Sequence, residues 1–279
     1  MSLLKIAQQK IGKRFLPAEA APPEEEQPGY RAANLQGLGA RTGQEDSFTV
    51  AGAFDAAIVQ EKGLFFAVCD GMGGMKDGRL ASETAIQSLR QSFQAMDRSQ
   101  DLAPQLERSV FQASAQVEAL IGGDGGSTVV TGILYQDRLY YASVGDSFLY
   151  LLRGGSLLRL NAEQNLLHQK YLESIRAGNM DPLPLQGLPN GAALTGFLGM
   201  PGLDEVDCSV LPLPIDGGDV LLACSDGVGG VLSPEEVAEA LQMPTPEEMC
   251  ASLEAMIVSY NRPHQDNYTA IVIQCVSQS

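Results

Sequence analysis

Three apolar runs in this chain stop at an aspartate. FFAVCDG reaches Asp70, YYASVGDS reaches Asp146 and VLLACSDG reaches Asp226. Short runs of β-branched, aromatic and small apolar residues bounded by turn signals read as strands. A carboxylate at the edge of such a sheet is costly unless it is paired or bound to a cation. Each of these acids alone is an ordinary Asp-Gly or Gly-Asp turn. Three together, with little else charged nearby, predict a sheet edge that collects negative charge for a purpose.

The rest of the chain fixes what that edge belongs to. Strand patterns occur at 64–68, 127–135, 138–144, 148–152, 220–224 and 268–275, and helical patterns at 78–96, 102–121, 162–177, 234–241 and 246–260. Ser233-Pro234-Glu235-Glu236 and Thr245-Pro246-Glu247-Glu248 are helix starts, each with an N-cap, a first-turn Pro and acids that suit the helix dipole. Strands come in hairpin-spaced pairs, one joined by Gln136-Asp137, and not in regular βαβ alternation. This favours an antiparallel, layered α+β body over a doubly wound sheet. There is no internal repeat and no GxxxxGK phosphate loop.

With 279 residues, 44% of them hydrophobic, the chain can bury one large core or two small ones. Thirty-four acidic against eighteen basic side chains give a formal charge of −16. Such a surface repels nucleic acid and anionic lipid, so no nucleic-acid partner is expected. It also repels phosphate esters, unless bound cations invert the sign locally. The five cysteines have no CxxC spacing and give neither a disulfide framework nor a zinc site. No run reaches the length of a membrane span and the start lacks a signal-peptide pattern, so no transmembrane segment and a cytoplasmic location are expected. Residues 1–16 carry Leu3, Leu4, Ala7, Ile11 and Phe15 near helical spacing among Lys5, Lys10, Lys13 and Arg14. That is a short basic amphipathic helix, a docking element or a membrane-surface contact. Pro, Ala and Glu over 17–29 make a stiff, solvated linker. The expected organisation is 1–29 as this leader and 30–279 as one catalytic body.

Two more acid motifs join the first three: Glu45-Asp46 precedes a β-like segment, and Asp266-Asn267 precedes the last strand run. Glu45, Asp46, Asp70, Asp146, Asp226 and Asp266 are hard oxygen donors, and neither His168 nor His264 falls in their motifs. Oxygen-only sets select Mg²⁺ or Mn²⁺ over zinc or copper. Gly71 lets its backbone carbonyl approach as a further oxygen. Several carboxylates around two hard cations make a hydrolase arrangement in which a shared water is activated. Arg41 has the planar fork that suits phosphate oxygens.

The ordered set RTGQED, VCDGMGG, GGSTVV, VGDS, LLRGGSLLRLN, LTGFLG, CSDGV and DNYTAIVI resembles the type 2C (PPM) family of metal-dependent serine/threonine phosphatases, in particular its bacterial branch. The likeness runs from about Gly39 to Ile273. It implies a four-layer αββα sandwich, two antiparallel sheets flanked by helices, with two Mn²⁺ or Mg²⁺ ions at one end and a possible third. It implies Asp70 as the bridge between the metals, the Gly71 carbonyl on one of them, Asp226 and Asp266 as flanking ligands, and Glu45 and Asp46 in contact with the centre, Asp46 mostly through water. It further implies Asp146, with Asp226, at the third metal, Arg41 on the substrate phosphate, and Asn267 orienting Asp266. The implied chemistry is hydrolysis of phosphoserine and phosphothreonine without a phosphoenzyme, by a monomer that opposes a serine/threonine kinase. An inactive, phosphoprotein-binding pseudophosphatase is the alternative from another class, and a dephosphorylating regulator of sigma-factor partners the alternative within it. The chain departs from the family pattern at Met72, where some members carry a histidine, at Phe148, where an Arg is usual, and at Glu163-Gln164, where Asp-His is usual. The last two predict an altered contact near residues 165–192.

Overall fold

The structure is a computed structural model that describes residues 29–52, 55–73, 75–122, 125–179, 181, 185 and 187–276. The basic segment over 1–16 and the linker up to residue 28 lie outside the described residues, as does Gly74. Strand β1 (Tyr30–Gly37) and β2 (Ser47–Ala51) lead to helix α1 (Ala56–Lys62) and β3 (Leu64–Cys69). A two-residue β4 (Gly71–Met72) then enters α2 (Met75–Ala95), followed by α3 (Ala103–Ile121) and β5 (Gly126–Ser127). Next come β6 (Val129–Tyr135), β7 (Arg138–Val144), β8 (Phe148–Arg153), β9 (Ser156–Arg159) and α4 (Leu166–Arg176). The chain closes through β10 (Asp207–Cys208), β11 (Leu213–Pro214), β12 (Val220–Cys224), α5 (Asp226–Gly229), α6 (Pro234–Ala240), α7 (Pro246–Ser259) and β13 (Tyr268–Cys275).

The strands form two main antiparallel sheets. The first has the order β1-β13-β12-β8-β9 and the second β10-β7-β6-β3-β2, with β11 also on β7. Side-chain alternation along the central strands accounts for the layering. Leu64, Phe66 and Val68 of β3 meet Leu221, Ala223, Ile271 and Ile273 between the sheets. Phe65, Ala67 and Cys69 face the other way, onto Leu89, Phe93, Leu106, Val110 and Val117 of α2 and α3. Leu222 and Cys224 pack outward against Val237, Met249, Leu253 and Ile257 of α6 and α7. Both faces of β3 and β12 are buried, which is why their sequences are unbroken apolar runs. This is the αββα arrangement that the family resemblance implies.

Local chemistry sets most boundaries. Gln136 and Asp137 hold positive φ (51° and 55°) in the tight turn between β6 and β7, as a two-residue hairpin demands. Ser233 and Glu236 form a reciprocal capping box on α6, and Thr245 caps α7. The helix expected from 162 starts only at Leu166, because Asn165 turns its side chain onto the His168 N–H as an N-cap. The helix expected from 78 starts three residues earlier, at Met75. Gly78 therefore sits inside α2, and a Cβ on Gly71 would overlap its carbonyl. The helix is admitted here by two facing glycines, so Gly78 is a contact and not a boundary.

Candidate metal centre

All six acids singled out in the sequence come to one end of the sandwich, by way of elements from both sheets. Glu45 and Asp46 precede β2, and Asp70 follows β3, in the second sheet. Asp226 follows β12 and Asp266 precedes β13, in the first sheet. Asp146 occupies the turn that carries the chain from β7 of the second sheet to β8 of the first. Gly145 makes that turn with φ of 102°, close against Thr128.

Asp46, Asp70 and Asp226 form the inner group, with Asp70 within hydrogen-bonding reach of the other two. Asp46 is 4% exposed. Its Oδ2 accepts from Ser225 Oγ at 2.9 Å, and Ser225 Oγ in turn accepts from the Thr269 N–H at 3.0 Å. Asp46 Oδ1 and Asp226 Oδ1 are buried with no hydrogen-bond partner. Burial first, and then the repulsion of like charges, drives these carboxyls upward. Asp46 is pushed up to about 6, by desolvation and by Asp226 against hydrogen bonds from Thr269 and Ser225. Asp70 is raised well above the carboxylate range by desolvation, then by Asp46 and Asp226. Asp226 is raised by desolvation, with Asp266 adding to it. Asp146 is pushed up to about 6 by desolvation and then by Asp226. Glu45 is raised by desolvation, with Arg41 opposing.

The backbone around Asp70 is fixed from the side. Its carbonyl accepts from the Thr128 N–H at 2.8 Å and from Ser127 Oγ at 3.0 Å, and its N–H donates to Thr128 Oγ1 at 3.2 Å. Thr128 Oγ1 also lies 2.7 Å from Ser147 Oγ, beside Asp146. The Ser127-Thr128 segment thus links two of the acid loops. Ser225 carried no sequence signal beyond its place beside Asp226, and Thr128 none beyond its place in the GGSTVV motif.

Asn267 differs from its expected part. Only its backbone N–H meets Asp266, at 2.8 Å on Oδ1. Its side chain spans the other loop: Oδ1 accepts from the Glu45 N–H at 2.8 Å, and Nδ2 donates to the carbonyls of Leu38 (3.0 Å) and Gly43 (3.1 Å). It is 4% exposed and holds the loop that carries Arg41 and Glu45. Arg41 reaches Asp266 with Nη2 at 2.6 Å, and both side chains are about half exposed. An exposed pair of this kind contributes little to stability, so the guanidinium is cheaply released to an incoming anion.

Of the departures, Phe148 and Glu163 meet on Arg159, and Gln164 makes a contact of its own. The Arg159 guanidinium lies over the Phe148 ring, 4.0 Å from its centroid, and pairs with Glu163. Gln164 clasps Gly145, its Oε1 accepting from the Gly145 N–H at 3.0 Å and its own N–H donating to the Gly145 carbonyl at 2.8 Å. His168 and His264 lie away from the acids' hydrogen bonds.

Among the described residues, no three acid, His or Cys side chains are drawn around one point as a ready-made ligand cage. The inner acids are instead near enough to share protons. The donor set nevertheless fits hard divalent cations: it is all oxygen, two of its buried oxygens have no partner, and its members repel one another.

Comparison with known proteins agrees with this reading. Residues 32–169 match the family Protein phosphatase 2C. The serine/threonine phosphatase stp of Listeria monocytogenes is 28% identical over 216 residues, covering 74% of this chain and 82% of that protein. The crystal structure of the Mycobacterium tuberculosis serine/threonine phosphatase PstP/Ppp is similar with a TM-score of 0.72 at 26% identity, over 89% of this chain and 99% of that one. The catalytic domain of PstP in complex with two manganese ions is similar with a TM-score of 0.70 at 25% identity, over 89% and 99% of the two chains. Layers, motif order and matches agree: residues 32–169 carry the protein phosphatase 2C match, and the chain is similar over most of its length to bacterial PPM serine/threonine phosphatases.

Proposed function

We propose that this protein hydrolyses phosphoserine and phosphothreonine in proteins by direct attack of water, without a phosphoenzyme, using Mn²⁺ or Mg²⁺ held by the six acids. The observation that carries this is the buried trio Asp46, Asp70 and Asp226, raised by burial and mutual repulsion, with two carboxylate oxygens left unpartnered. Bound there, two divalent cations supply an acidified water and the positive charge that a phosphoryl transition state needs.

The residues divide the work. Asp70, central to the trio, would hold both cations, with the Gly71 carbonyl as a further oxygen. Asp226 and Asp266 flank it, and Glu45 and Asp46 complete the set. Asp146, which feels Asp226 most among its charged neighbours, would join Asp226 at a third ion. Arg41 stands at the rim and turns from Asp266 to hold two non-bridging phosphate oxygens, a geometry its fork matches. Asn267 keeps the Arg41–Glu45 loop in register with Asp266. Met72 offers no proton, so the leaving alkoxide takes its proton from water.

Residues 30–279 constitute the catalytic domain in this reading, and 1–29 a separate leader. The substrates are phosphoproteins made by an opposing serine/threonine kinase, the enzyme acts as a monomer in a bacterial cytoplasm, and its cations offset the −16 charge where substrate arrives. No described helix is long and apolar enough to cross a membrane. The test is Mn²⁺-dependent phosphate release from phosphothreonine and phosphotyrosine peptides, with EDTA as control. Release confined to phosphothreonine and abolished by EDTA is expected. Metal binding without turnover identifies a pseudophosphatase instead, and equal activity on both peptides removes the serine/threonine assignment.

A further inference from the structure

Residues 1–28 join the body at a cleft that Gly29 and Tyr30 line together with Arg138, Pro214 and Asp216. The Gly29 carbonyl accepts from the Val276 N–H at 2.9 Å, which fixes the point of departure. Beside that cleft runs the outer edge of the second sheet, formed by β10 and β11 on β7. Pro214 lies opposite Arg138, and the Ser209 N–H donates to the Tyr141 carbonyl at 3.0 Å. Val210 and Leu211 fall between these two points, ~10 Å along the strand from the cleft. Val210 is 86% exposed and Leu211 80%, while no other large apolar side chain among the described residues exceeds 53%. An apolar pair on a sheet edge invites association unless something covers it.

The charge around the pair is mostly negative. Glu107 of α3 and Asp207 of β10 act on Cys208, Asp207 acts on Tyr141, and Asp101 acts on Tyr140. Against these three acids stands Arg138, on the cleft side. Residues 1–16 have the complementary make-up: Lys5, Lys10, Lys13 and Arg14 with no acid, and Leu3, Leu4, Ala7, Ile11 and Phe15 near helical spacing. The Pro-rich linker over 17–29 reaches ~40 Å when extended, more than the distance to the pair requires. So short a segment is marginal as a lone helix and needs a surface to fold on. A tether of this length keeps it at an effective concentration near the millimolar range, so a weak contact suffices.

We propose that residues 1–16 fold back as an amphipathic helix onto the Val210–Leu211 edge of their own chain, the apolar stripe on that pair and the basic residues toward Asp101, Glu107 and Asp207. The leader then covers an edge through which copies of this chain would otherwise associate, and its basic face is withheld from membrane surfaces. The docking needs neither bound metal nor phosphorylated substrate.

Hydrogen exchange on the full chain, followed residue by residue, is the test. Amides within 4–15 are expected to be protected about tenfold or more over an unstructured peptide, equally in dilute and in concentrated protein. Val210→Asn combined with Leu211→Asn, at positions too exposed to carry the core, should bring that protection to within about twofold of the unstructured rate while the amides of β12 and β13 keep theirs. Lys10→Glu combined with Lys13→Glu, outside the body and so unable to unfold it, should cut the protection at least about threefold. Unprotected wild-type amides overturn the proposal, and so does protection that survives either pair of substitutions. Protection that grows with protein concentration overturns it in favour of contact between copies. Wild-type amides that become protected only when phosphatidylglycerol vesicles are added overturn it in favour of a membrane contact.

Discussion

Asp226 serves two opposed demands. It supplies charge to cations, and in their absence that charge repels Asp70, Asp46 and Asp146. Asp226→Asn should therefore stabilise the metal-free protein, raising its melting temperature in EDTA by a few °C, while Mn²⁺-dependent turnover falls at least about a hundredfold. Paired melting and p-nitrophenyl phosphate assays check it, and full turnover in the variant would falsify the ligand role. The pH dependence follows from the same groups. Asp46 and Asp146 are raised from 3.8 to about 6, so each binds its proton more tightly in the folded than in the unfolded chain. Their contribution favours folding below about 4, weakens as pH rises from 4 to 6, and is flat above. Melting curves in EDTA should thus decline with rising pH across that window, and curves in Mn²⁺ should lose the decline, since the cation binds the deprotonated carboxylates. A metal-free melting temperature that climbs from pH 4 to 6 contradicts the assignment.

The loops and strand ends decide how well these residues are held. Asn267→Ala removes three buried hydrogen bonds and leaves the Glu45 N–H and two carbonyls unpaired. A loss on the order of 2–4 kcal/mol is expected from denaturant unfolding, with phosphate affinity reduced because Arg41 rides on that loop. Gly71→Ala meets backbone on every side, the Gly78 carbonyl and the Glu45 carbonyl among it, so neither neighbour can rotate away. Denaturant curves should show a loss of about 3 kcal/mol or more, or a chain that does not fold. At this scale the sequence was legible wherever one local rule governed. The runs 220–224 and 268–275 are the observed β12 and β13 to the residue, because both strands are buried on two faces. The acids were legible for the same reason, as charges at the ends of unbroken apolar runs. What could not be read depended on partners distant in sequence. Gly78 looks like a helix boundary until Gly71 is beside it, and β1, whose residues are mixed, becomes a strand only through its eight-residue pairing with β13. Asn267 sits beside Asp266 in sequence, yet its side chain serves a loop more than two hundred residues away.

At the scale of the whole molecule, a formal charge of −16 opposes compaction, and concentrating six acids at one end sharpens the opposition. Divalent cations that bind only the folded chain should stabilise it by about 2.7 kcal/mol at a hundred times their dissociation constant. Titrating Mn²⁺ against the melting temperature of wild-type protein and of Asp226→Asn measures this, and equal shifts in the two would place the binding elsewhere. One structural feature extends the point. The acids are divided between the sheets, and the Ser225–Asp46 and Asn267–Glu45 hydrogen bonds cross from one to the other. Loading the site is therefore a mechanical act as well as a chemical one: it clasps the open edge of a two-leaved book. Emptied, the same edge is free to gape, and the Glu45 amide, bonded across it to Asn267 Oδ1, is the stitch that would exchange its hydrogen first.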